Sequence, residues 1–178
     1  MVRAATGTEP APALSYARAG GAVFADSDGV ARRRDARKGR RMKRSIFAVL
    51  GGIVIWVLVA SLLNRGLRIG LAGYALAEPT MTFTLGMKVA RLILGALSSL
   101  AAGAVTSLIA PSRTRLPWVL GAIILAAFIP EHIAVWAKFP VWYHLVFLIT
   151  LVPLVALGGA LGRSRFRQQR SRFSGDAE

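Results

Sequence analysis

Apolar residues gather into four long stretches, Ser45 to Asn64, Leu85 to Ala110, Leu116 to Ala137 and Val141 to Gly162, parted by short polar linkers. Each is long enough to cross a bilayer as a helix, which takes about 20 mostly apolar residues. The pattern predicts an all-α integral membrane protein, with four transmembrane helices arranged as two hairpins over residues 42–164 and a basic cytoplasmic tail over 165–178. With 54% hydrophobic and 17% charged residues, a water-soluble fold would lack the polar surface to cover itself.

Finer periodicities lie inside this frame. Gly95, Ser99, Gly103 and Ser107 recur every four residues in the second stretch, a small-residue stripe that lets another backbone approach closely. Gly158 and Gly162 offer a shorter version in the fourth, and Gly51-Gly52 a notch in the first. Packing within the chain is the preferred reading, with a second copy as the alternative. Pro130 and Pro153 predict kinks, because each removes an N–H and frees the carbonyl four residues earlier. In the first connection Leu67, Leu71 and Tyr74 fall at helical spacing. Gly66 to Ala77 therefore reads as a short helix in the headgroup plane, ended by Glu78-Pro79, or as an apolar loop on the bundle end.

Residues 1–41 differ from the rest. They are rich in Ala, Gly and Arg, lack apolar periodicity, and end in a basic run from Arg32 to Arg41. Such a composition buries too little surface to fold, so the segment is expected to be disordered. It reads as a polybasic arm on anionic headgroups or as a mis-assigned start ahead of a true Met42, the latter slightly preferred. Met42-Lys43-Arg44 before an apolar run also resembles a secretory leader, but Leu58 two residues before Ala60 makes a poor cleavage site, which favours an uncleaved first helix.

Charge sets the expected orientation. The chain has 23 Lys and Arg against 8 Asp and Glu, a net +15. On a soluble protein that excess would suggest nucleic acid. Here the basic residues flank the apolar stretches, where they act as topology signals and contacts for anionic lipid headgroups, and no nucleic-acid partner is expected. Lys43, Arg44, Arg113, Arg115 and the arginines after Gly162 alternate onto one side, which places both termini in the cytoplasm. Trp136, Phe139, Trp142 and Tyr143 crowd the opposite side as an interfacial aromatic belt.

One polar constellation stands out. Arg91 and Glu131 each lie six residues inside the outer end of their stretch, a depth of about 9 Å. Lys88 is one turn above Arg91, His132 adjoins Glu131, and His144 opens the fourth stretch. A charge at that depth costs a few kcal/mol unless paired or hydrated, so an Arg91–Glu131 ion pair is expected. The cluster is structural glue, or else a site for a small anion or headgroup at Lys88 and Arg91, or a proton relay through Glu131 and the histidines.

Enzyme signatures are missing: the sequence holds no HExxH, Walker loop, GxSxG or cysteine. Glu131, His132 and His144 have no specific metal-ligand spacing, so no metal, cofactor or catalytic residue is expected. The length, the hairpin layout and the run Trp136-Ala137-Lys138-Phe139-Pro140-Val141-Trp142-Tyr143-His144 resemble those of small bacterial inner-membrane proteins, a likeness that carries no activity. The preferred expectation is a non-enzymatic component that binds lipid, another membrane protein or a second copy of itself. The alternative is a small transporter or ion-conducting oligomer with Arg91 and Glu131 on the path.

Overall fold

The computed structural model describes residues 16–175. It contains α1 (Tyr16–Gly70), α2 (Tyr74–Thr80), α3 (Leu85–Ile109), α4 (Leu116–Ala134) and α5 (Val141–Gly175), with a 3₁₀ turn at Trp136–Lys138. No strand occurs among the described residues. The segments Lys38–Gly70, Leu85–Ile109, Leu116–Ala134 and Val141–Arg165 are long and apolar enough to cross a membrane, which marks a multi-pass membrane protein. Their outward faces carry large apolar side chains, among them Phe47, Leu50, Val54, Leu97, Ile123 and Ile149, all exposed. A continuous surface of that kind suits hydrocarbon and not water.

The chain divides into two units, Met1–Met42 and Lys43–Glu178. In the first, the segment expected to be disordered lies outside the described residues up to residue 15, and its backbone is helical from Tyr16. Ala and Arg are strong helix formers, so local propensity favours helix even without an apolar face.

Helix ends follow local chemistry. Gly73 in the left-handed region (φ 76°) starts the turn into α2, and Met81 (φ 58°) closes that helix just after Pro79. Thr84 caps α3, its side-chain oxygen accepting from Met87 N at 3.4 Å. Pro117 occupies the first turn of α4, where its missing N–H costs nothing. α4 ends at Ala134, short of the expected Ala137, because the chain tightens into the 3₁₀ turn and extends at Phe139 before Pro140. Helix continues through Pro130 and Pro153.

The tightest packing joins α3 to α5. A Cβ at Gly103 would collide with the Val155 carbonyl and stand 2.9 Å from Gly159 N, and one at Gly162 would stand 2.7 Å from the Ala104 carbonyl oxygen. Gly158 faces the Leu100 backbone in the same way. The stripe is therefore a contact within the chain, where two glycine-lined backbones nearly touch. Gly95 leaves room for the Phe147 ring, and Arg163 donates to Ser107 Oγ at 3.1 Å. α4 joins this pair through Gly121 against Val152, and Leu120, Ile124, Leu151, Val155 and Ala102 form a core.

α1 meets the others through fewer contacts. Gly52 seats against Thr106 and Leu120, and Thr106 Oγ1 reaches the Ala48 carbonyl at 3.2 Å. One turn further, Trp56 Nε1 donates to Ser99 Oγ at 3.2 Å while its ring packs on Phe128 at 4.9 Å. Beyond Trp56, Ala60, Ser61 and Asn64 border open space.

Candidate functional site

That space is a cavity of about 520 Å³. Ala60, Ser61 and Asn64 of α1 form one wall, Arg91, Leu94 and Gly95 of α3 another, and Phe128, Glu131, His132 and Val135 of α4 a third. Trp56, Phe139, Tyr143 and Phe147 supply aromatic faces. The cavity is not sealed, since Ser61 and Glu131 on its lining are exposed.

Arg91 and Glu131 share this cavity without forming the expected ion pair; among the described residues the ion pair is Arg68 Nε to Glu78 Oε2, at 3.0 Å. Arg91 turns elsewhere. Its Nη1 donates to the Tyr74 hydroxyl at 2.8 Å and its guanidinium lies 4.7 Å from the centroid of the Phe83 ring, a cation–π contact. The Arg91 Nε is buried without a partner. Equal depth along two helices does not set where each side chain ends: both residues line the cavity, but the Arg91 guanidinium is held on Tyr74 and Phe83.

Tyr74 anchors a network that ties the α1–α2 turn to α3. Asn64 and Arg68 stand one turn apart on α1, opposite Tyr74 and Glu78, one turn apart on α2. The Tyr74 hydroxyl donates to Asn64 Oδ1 at 2.8 Å, and Asn64 Nδ2 donates to Glu78 Oε1 at 2.9 Å. The ring is fully buried among Ala77, Phe83, Met87, Phe139 and Tyr143. Burial raises the phenol above its ordinary range, against the lowering pull of Arg91, so Tyr74 stays a protonated donor. The expected helix over Gly66 to Ala77 is thus divided: Leu67 belongs to α1, Tyr74 to α2, and the segment packs on the bundle end.

The two histidines come together. His132 and His144 have ring centroids 5.2 Å apart, edge to face. His132 stacks on Phe147 at 4.7 Å and directs Nδ1 to the Phe128 carbonyl at 3.0 Å. His144 is fully buried and stacked on Trp136 at 4.6 Å. His132 Nε2 and both His144 nitrogens are buried without partners. Among the described residues no three His, Asp or Glu converge as metal ligands. Lys88 is half-buried and does not line the cavity.

No family model, curated protein or solved structure matches the chain. Arg91, Glu131 and His132 are brought to one cavity, His144 stands behind them, and Gly95 and Ser99 lie on the same side of α3. Sequence reasoning gave Tyr74 and Glu78 a place only in a short helix and Tyr143 a place only in the aromatic belt, and it gave Trp56 and Asn64 no role in the site. The paired spacings Asn64/Arg68 and Tyr74/Glu78 were the available signal for three of these residues.

Proposed function

We propose that the protein is a non-enzymatic component of the bacterial inner membrane, with four crossings in two hairpins and both termini cytoplasmic, whose cavity binds a single lipid. The observation that carries this reading is the cavity itself. Its volume lies in the range of small-ligand sites, about 300–1,000 Å³, and it joins aromatic walls to a guanidinium and a carboxylate that lack each other as partners. An amphiphile matches such a lining. The basic residues at the Arg113 end of the bundle support the orientation, since they would meet anionic headgroups on the cytoplasmic face.

The test is lipid retention through purification in a mild detergent, read by mass spectrometry, for the natural chain and for Ala60→Trp, which fills the cavity. Selective loss of a bound lipid from the filled variant is expected; identical lipid content in the two would refute the reading. Flux through liposomes that depends on Glu131 would favour transport in its place. Because the chain has no cysteine, single cysteines at Ser112 and Ala137 report orientation. An impermeant maleimide should label intact cells at position 137 only.

A further inference from the structure

The opposite charges on the cavity wall call for a ligand of matching polarity. Arg91 spends Nη1 on Tyr74, lies over the Phe83 ring and has no carboxylate partner among the described residues. Glu131 lines the same cavity with no side-chain hydrogen bond or ion pair among the described residues. An anion alone would satisfy Arg91 and be repelled by Glu131, and a cation alone the reverse. A neutral guest would leave both groups without a counter-ion at membrane depth. Only a dipolar guest answers both.

We infer that the cavity takes a zwitterion that joins a phosphate to an ammonium group, the phosphate at Arg91 and the ammonium at Glu131. This rests on the ligand-binding reading above and adds the chemistry of the ligand. The walls agree with it. Guanidinium is the preferred partner of phosphate oxygens, while Trp56, Phe128 and Phe147 also line the cavity, and aromatic rings attract cations. The headgroup of a zwitterionic phospholipid and a water-borne phosphoamine share this chemistry.

The test presents the full chain in detergent with equimolar phosphatidylethanolamine and phosphatidylglycerol of identical acyl chains, read by native mass spectrometry. The natural protein should retain phosphatidylethanolamine about tenfold over phosphatidylglycerol, the scale of one charge-assisted hydrogen bond. Glu131→Gln should erase that preference and Glu131→Lys should invert it. Glu131 is exposed and its side chain makes no hydrogen bond or ion pair among the described residues that either change would break, and an unchanged melting temperature verifies folding. Equal retention of the two lipids by the natural chain, or a preference for phosphatidylethanolamine surviving in Glu131→Lys, would overturn the inference while leaving lipid binding intact. Retention of neither lipid would overturn the inference and the reading beneath it. Added glycerophosphoethanolamine separates the sources: displacement of the lipid marks a water-borne zwitterion and resistance marks the lipid, and both support the dipolar site.

Discussion

Gly103→Ala is expected to destabilise the bundle although it adds a single methyl group to an apolar helix. The new Cβ would overlap the Val155 carbonyl and sit 2.9 Å from Gly159 N, and both obstacles are backbone, so no side chain can turn away. Ordinary Cβ contacts begin near 3.4 Å, so α3 and α5 must part by at least half an ångström along their closest approach. A gap of about 0.5–1 Å forfeits a quarter to a half of each dispersion contact on that seam. Overpacking of this kind costs about 1–3 kcal/mol, against a helix-propensity gain of at most about 1 kcal/mol from replacing glycine. The control is Gly66→Ala, also in a helix, where nothing stands within 4 Å of the added carbon. There the propensity gain acts alone and about 0.5–1 kcal/mol of stabilisation is expected. Thermal unfolding of both variants in one detergent, followed by size exclusion, makes the comparison. Equal shifts in the two variants, or a more stable Gly103→Ala, would show that the α3–α5 seam does not hold the fold together.

Other substitutions probe the polar network. Tyr74→Phe deletes a hydroxyl that accepts from Arg91 and donates to Asn64, leaving two polar groups bare, and should cost about 1–3 kcal/mol in the same unfolding assay. The phenol of Tyr74 is raised in the folded state, so the unfolded chain releases its proton first as pH climbs. The natural protein should therefore lose stability above the ordinary phenol range, about pH 10, and Tyr74→Phe should lack that part of the loss. A natural chain and variant with parallel alkaline profiles would contradict the assignment. His144→Phe should be neutral or stabilising, since both ring nitrogens are buried without partners and the stack on Trp136 would survive. A marked drop in melting temperature would show that the imidazole has a polar role.

Much of this molecule can be read from the order of its residues. Four runs of apolar side chains declare their solvent, because burying each backbone polar group inside a helix is what hydrocarbon demands of a spanning segment. The stripe from Gly95 to Ser107 announces a close helix contact, because glycine and serine leave space that a neighbouring helix can enter. Tertiary structure alone chose α5 as the partner, since a stripe states how near a neighbour can come and not which neighbour comes. The same limit governs the site. Counting residues set Arg91 and Glu131 at one depth, but the angle around each helix axis depends on how the helices pack. That packing turned Arg91 toward Tyr74 and Phe83, left Glu131 exposed on the cavity lining, and set His132 against His144. Periodicity within one segment fixes a face of a helix; which face meets which is settled only when the helices assemble.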